Sequence, residues 1–304
     1  MAKLQSTEIV GVANRPATIC TDTFCLWFDT TNRLPMASYL DSSWSIGGAM
    51  ICQRRGLTGA GTQNEGLVMG GFDTVNLQCT EEYNGTTWAS GGALITVRCM
   101  SAGAGTQNLG LIAGGLTNQA ITEEYNGSTW ASGGALITGR CFFYGFGTQN
   151  EALVSGGWIA LANTEEYNGT SWANGGALIN ARREHAGAGT QNLGVVFGGV
   201  GAEFCTEEYD GSIWANGGAL INARCSIIGM GTQNEALVSG GYNLVRCTEE
   251  YNGTIWASGG ALIVGRRCMA GAGSQSLGLA MGGYTTVNVS CTEEYTKITI
   301  DSYL

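Results

Sequence analysis

Thr80-Glu81-Glu82-Tyr83-Asn84-Gly85-Thr86-Thr87-Trp88 decides the architecture, because the chain repeats it with small changes. The Thr-Glu-Glu-Tyr start returns at Thr122, Thr164, Thr206, Thr248 and Thr292, and the tryptophan at Trp130, Trp172, Trp214 and Trp256. Asp210 replaces the asparagine in the fourth copy, and the last copy lacks both the Asn-Gly and the tryptophan. Outward from this stretch, an apolar run closed by Gly-Gly precedes each copy, at Gly70, Gly114, Gly156, Gly198, Gly240 and Gly282. An arginine leads each unit, at Arg54, Arg98, Arg140, Arg182, Arg224 and Arg266. The spacing is 42 residues, apart from a first interval of 44 and another 44 before the last tyrosine. Such a period marks a repeat architecture, in which each unit buries its apolar face only against its neighbours.

Each unit reads as four short strands. The first runs from the arginine through a Gly-Ala-Gly segment, as in Ser101 to Gly105, and Thr106-Gln107-Asn108 makes a polar turn. The second is apolar (Leu109 to Ala113), the third ends in Glu-Glu-Tyr, and the fourth carries the tryptophan. Asn-Gly between the last two predicts a type I′ hairpin turn, whose two central residues both need positive φ. No unit shows a 3.6-residue periodicity, so a helical solenoid is excluded. The expected fold is all-β: a six-bladed β-propeller of four-stranded antiparallel blades.

The sixth unit has Arg266, Gly282-Gly283 and Tyr295 but no tryptophan strand, whereas Ser42-Ser43-Trp44-Ser45-Ile46-Gly47-Gly48 supplies one with no blade of its own. The N-terminal strand is therefore expected to complete blade six and close the ring; the alternative is that Ile298 to Ser302 folds back as its own fourth strand. The expected division is an N-terminal segment or hairpin over 1–37, for attachment or packing, and the propeller over 38–304.

The order Gly-Gly, Tyr, Trp resembles the kelch repeat over roughly residues 44 to 295, with a shorter Tyr-to-Trp turn than typical kelch units. Cys25-Leu26-Trp27-Phe28-Asp29-Thr30-Thr31-Asn32, followed by Tyr39-Leu40-Asp41-Ser42-Ser43-Trp44, resembles a hairpin of bacteriophage tail-fibre and related virion proteins. The repeat itself is similar to those of phage-encoded propellers. The resemblance implies a virion location, synthesis in a host cytoplasm, and partners among other virion proteins or host-surface glycans and proteins. The segment Met1 to Ala13 has no apolar core of signal-peptide length, which agrees with that expectation.

Composition bounds the chemistry. The net charge of −10 should repel nucleic acid. The doublet Arg54-Arg55 and its later equivalents are too short to form basic patches. No run of 18 apolar residues exists, so no membrane insertion is expected. With 50 glycines and only 2 prolines, the chain suits tight turns and close backbone packing rather than collagen or linkers.

No catalytic residues, cofactor or metal are expected. The single histidine, His185, cannot supply the several ligands of kelch-type copper oxidases, and its neighbour Glu184 would point away from it on a strand. Six equal copies of Glu-Glu do not resemble one active site. No Gly-Lys-Ser/Thr phosphate loop and no Cys-x-x-Cys zinc motif occurs.

Of the eleven cysteines, eight recur at two positions of the unit: Cys79, Cys205, Cys247 and Cys291 just before Thr-Glu-Glu-Tyr, and Cys99, Cys141, Cys225 and Cys268 just after the leading arginine or its neighbour. Two readings stay open: inter-blade staples pairing Cys79 with Cys99, Cys205 with Cys225, Cys247 with Cys268 and Cys52 with Cys291, or small buried thiols.

Residues present in every blade are expected to hold the ring together, with Tyr and Trp packing between blades and Arg and Glu bonding strand ends or each other. Binding should lie where blades differ. The loops between second and third strands differ, as do the stretches after each leading arginine, and both belong to one face. That face collects the candidate partner-binding residues Phe72, Trp158, Phe204, Tyr242 and Tyr284, with His185 as a surface or channel residue. Aromatics on a rigid surface suit a sugar ring or a protein. The opposite face, nearly six-fold uniform, could dock several copies on a symmetric platform.

Overall fold

In this computed structural model, the structure describes residues 9–12, 15–21, 24–29 and 34–303, with side chains over 41–298. The chain divides into two units, 44–295 and the flanking 1–43 with 296–304.

Residues 44–295 form a closed ring of six blades, each of four antiparallel strands. Blade two is representative: Ala102–Gly105, Gly110–Ala113, Thr122–Tyr125 and Trp130–Ser132, in that order. The first strands lie innermost. Each neighbours the first strand of the next blade, and that of blade six neighbours that of blade one. Glycine is required there because neighbouring inner strands approach closely: a Cβ on Gly59 would stand 2.7 Å from the Gly271 carbonyl oxygen. The second strands are buried at every position in blades one to five, and in blade six at every position after Leu277, with a blade covering each side, which is why they read as continuous apolar runs rather than as alternation. The core is thus a set of inter-blade layers, such as Leu67 and Met69 of blade one against Ile112, Tyr125 and Trp130 of blade two.

Blade six takes its third strand from the start of Thr292–Tyr303 and its outer strand from the end of Leu34–Ile46. Trp44 is buried, its ring centre lies 5.0 Å from that of Tyr295, and its indole N–H donates to Thr248 Oγ1 at 2.9 Å. Trp130 makes the same bond to Thr80 of the preceding blade. Trp44 therefore holds the tryptophan position of blade six, and the N-terminal strand closes the ring. Ile298 to Ser302 does not fold back, because Thr292–Tyr303 is a single continuous strand.

The Asn-Gly turn differs from the expected type I′. The hairpin closes at Tyr83 opposite Trp88, which leaves four loop residues rather than two. Gly85 has φ +86°, but Asn84 does not enter the positive region. The Asn84 side-chain oxygen instead accepts the N–H groups of Thr86 and Thr87, at 3.0 and 2.9 Å. An asparagine that folds over its own turn explains why Asp210 can replace it: its carboxylate accepts from Ser212 and Ile213, both at 2.9 Å.

The nine described cysteines are free thiols. The inter-blade staples do not form. Cys99 donates to Asn76 Oδ1 at 3.1 Å, and Cys52 hydrogen-bonds the thiol of Cys79 in its own blade.

In the flanking unit, Ile9–Val12, Arg15–Thr21, Phe24–Asp29 and Leu34–Ile46 pair in sequence order as an antiparallel meander. Phe24 pairs with Tyr39 and Asp29 with Leu34, which makes the expected hairpin; its turn, Thr30 to Asn32, lies outside the described residues.

Candidate functional site

The recurrent side chains are consumed by the scaffold. Each leading arginine is buried against the first glutamate of its own Glu-Glu pair. In blade one, Arg54 Nη2 lies 2.6 Å from Glu81 Oε1, while Nη1 donates to the carbonyls of Gly70 and Cys79. The other glutamate oxygen accepts the Ile51 N–H at 2.7 Å. Burial pushes the Arg54 guanidinium down from its ordinary value, and Glu81 opposes that shift. The second glutamate serves the next blade: Tyr125 donates to Glu82 at 2.6 Å and Tyr167 to Glu124 at 2.5 Å, and so on around to Tyr83 on Glu294. Burial, then the bond to Glu124, pushes the Tyr167 hydroxyl up to about 12, so it remains a donor. The six equal carboxylate pairs are therefore cross-links.

One structural residue was legible only as a turn former. Gln107 donates to the carbonyls of Gly66 and Tyr83 in the preceding blade, at 3.1 and 2.6 Å, and Gln63, Gln149, Gln191, Gln233 and Gln275 do the same. Its signal in the sequence is recurrence: the turn is held by the hydroxyl before it, Thr106 Oγ1 accepting the Leu109 N–H at 3.2 Å and Ser274 Oγ the Leu277 N–H at 3.0 Å.

The blades differ at one end of the central channel. Gly56, Met100, Phe142, Glu184, Ser226 and Cys268 all have φ between +53° and +57°. Each N–H donates to the carbonyl of its equivalent one blade back, from Met100 on Gly56 at 2.8 Å to Gly56 on Cys268 at 2.8 Å, so six backbone hydrogen bonds form a closed circle. Five residues with side chains hold a left-handed conformation that costs about 1–2 kcal/mol apiece. The circle rims a funnel whose base is Tyr144. Its hydroxyl crosses from blade three to the Gly229 carbonyl of blade five, 2.7 Å away, and burial raises it to about 12. Tyr144 also lines the opening at the other end, so it divides the channel.

Around this mouth lie the candidate residues. Trp158, Phe204 and Tyr242 are exposed, at 44%, 52% and 53%; Phe72 and Tyr284 are half-buried. The structure joins four of them to arginines. Arg55 lies 5.1 Å from the ring centre of Phe72 and 4.8 Å from that of Tyr284. Arg267 lies 5.2 Å from Tyr284 and 4.8 Å from Tyr242. Phe72, Arg55, Tyr284, Arg267 and Tyr242 thus form one alternating stack across blades one, six and five. Separately, Arg183 lies 4.8 Å from Trp158, which packs on Phe142 at 5.4 Å. Phe204 joins neither group. The arginines were missed because each was read as half of a short basic doublet. The usable signal is that the first member recurs in six blades and the second in three.

His185 does not stand on the surface. It is 2% exposed at the base of the funnel, with Nε2 3.1 Å from Ser155 Oγ and Nδ1 without a hydrogen-bond partner. Its position, a buried site in every blade, is held in four others by Leu57, Phe143, Ile227 and Met269 and in blade two by Ser101. Burial, then the charge of Arg182, pushes its pKa well below the ordinary value, so it is neutral. Among the described residues no three His, Cys, Asp or Glu side chains come together to hold a metal ion. The chain matches no family model and no curated protein.

Proposed function

We propose that this protein is a non-enzymatic adhesion module, a bacteriophage virion appendage whose variable propeller face binds the host surface or another virion protein. The observation that supports a recognition role is the division of labour around the ring. The recurrent Arg, Glu, Tyr, Trp and Gln side chains are engaged within and between blades, while exposed aromatics and stacked arginines gather on the face where the blades differ. The virion setting rests on the likeness of the repeat to kelch-type phage propellers and of the Cys25–Trp44 stretch to tail-fibre hairpins. Mass spectrometry of purified particles tests it: the protein is expected there in stoichiometric amount, and its absence removes the virion assignment. A propeller lectin outside a virion is the second reading, favoured by the exposure of Trp158, Phe204 and Tyr242. Glycan binding by the protein, lost in Trp158→Ala, together with absence from particles, selects it.

A further inference from the structure

The propeller sorts its cations. Ten arginines lie between 44 and 295. Six are buried against glutamates. The remaining four, Arg55, Arg183, Arg246 and Arg267, all belong to the variable face, on a chain whose charge is otherwise strongly negative. Among the described residues neither Arg55 nor Arg267 has a carboxylate partner, although both flank the same ring of Tyr284. Two like charges are therefore held within roughly twice a cation–π distance of each other, and the nearby carboxylates are turned elsewhere, Asp73 accepting from Asn288 at 2.9 Å and Glu184 from Ser226. An anion at this ridge would relieve their repulsion. A guanidinium whose carbon lies over an aromatic ring still offers N–H donors to a ligand, in a fork that matches a carboxylate. Arg55 spends one such donor on Asn288 Oδ1 at 3.5 Å.

We infer that the Phe72–Arg55–Tyr284–Arg267–Tyr242 stack is the binding site for an acidic, carboxylate-bearing glycan. This rests on the variable face being the recognition face. The arginine edges would take the carboxylates, and the exposed ring of Tyr242 would take the apolar face of a sugar. An acidic peptide fits less well. Its carboxylates would meet the same arginine edges, but it has no flat apolar face to lay on the exposed ring of Tyr242.

The experiment uses the full chain on an array of uronate- and sialate-terminated glycans, each beside its carboxyl-reduced counterpart, with polyglutamate and neutral dextran as further probes. Binding to at least one acidic glycan is expected, at least tenfold weaker after carboxyl reduction and weaker in high salt. Arg267→Gln should weaken it by about tenfold or more, the loss of one charge-assisted hydrogen bond, with an unchanged melting temperature. Glu151→Gln on the opposite face should leave it unchanged. Equal binding to reduced and unreduced glycans, lost in Trp158→Ala but not in Arg267→Gln, overturns the acidic class and leaves the recognition face standing. Polyglutamate bound as tightly as any glycan overturns the glycan. Binding that responds only to Glu151→Gln overturns the face itself, and no binding to any acidic glycan overturns the inference.

Discussion

Arg182 and Arg183 are neighbours in sequence with opposite surroundings. Arg182 is wholly buried, paired with Glu207 and donating to the carbonyls of Gly198 and Cys205. Arg183 is half-buried, lies against Trp158, and comes only within 3.9 Å of Glu184. The doublets at Arg54-Arg55 and Arg266-Arg267 divide the same way. The difference teaches that recurrence within the chain sorts these arginines: the one in every blade completes the blade, and the one in only three of them turns to the aromatics of the variable face.

The sharpest way to break this contrast is to remove one scaffold partner. Glu165→Ala would strand the buried Arg140 and leave the Ile137 N–H unsatisfied. A loss of about 3–5 kcal/mol is expected by chemical denaturation. Phe204→Ala, on the variable face, should change stability by no more than about 1 kcal/mol. Equal effects would abolish the distinction.

Between blades the expected effect is smaller. Tyr167→Phe removes the donor to Glu124 and the acceptor for the Gly134 N–H. It should cost about 1.5–3 kcal/mol, since one partner is a carboxylate. A double-mutant cycle with Glu124→Gln should show strong coupling, whereas simple additivity would mean that the tyrosines only pack.

The smallest effect sharpens the comparison at its boundary. His185 is a polar residue at a packing position. Its folded pKa lies well below the ordinary 6.5, so the protein takes up a proton on unfolding below that pH. Its contribution is fully present above about 6.5 and is lost as pH falls toward the folded value, by up to about 1.4 kcal/mol per pH unit. His185→Phe, which copies Phe143 of the preceding blade, should flatten the pH 5–7 slope of stability. An unchanged slope would assign it to other groups.

Much of the fold was legible because the repeat carries it. Blade number, strand order and the role of Trp44 all follow from aligning the chain with itself. The turn type was not legible, because Asn84 serves both a two-residue turn and the four-residue loop it actually closes, and only the Tyr83–Trp88 register decides between them. Thiol pairing was not legible either. Cys79 and Cys99 share an end of their strands, but their nearest partners are Cys52 and Asn76. Of the candidate site, the aromatics were visible as departures from the repeat. Their arginine partners were not, because each stands in a doublet with a scaffold arginine, and the stacking of Arg55 with Tyr284, Arg183 with Trp158 and Arg267 with Tyr242 joins different blades.

The outer strand of the last blade has a consequence for biosynthesis. Trp44 leaves the ribosome early but hydrogen-bonds Thr248, 204 positions later. Until the segment from Thr292 to Tyr295 has emerged, blade six lacks its third strand and the strand that carries Trp44 has no neighbour to pair with. Sealing so distant a pair is slow and comes last. A truncated translation product would therefore expose raw blade edges and aggregate, while the finished chain hides them in a single step.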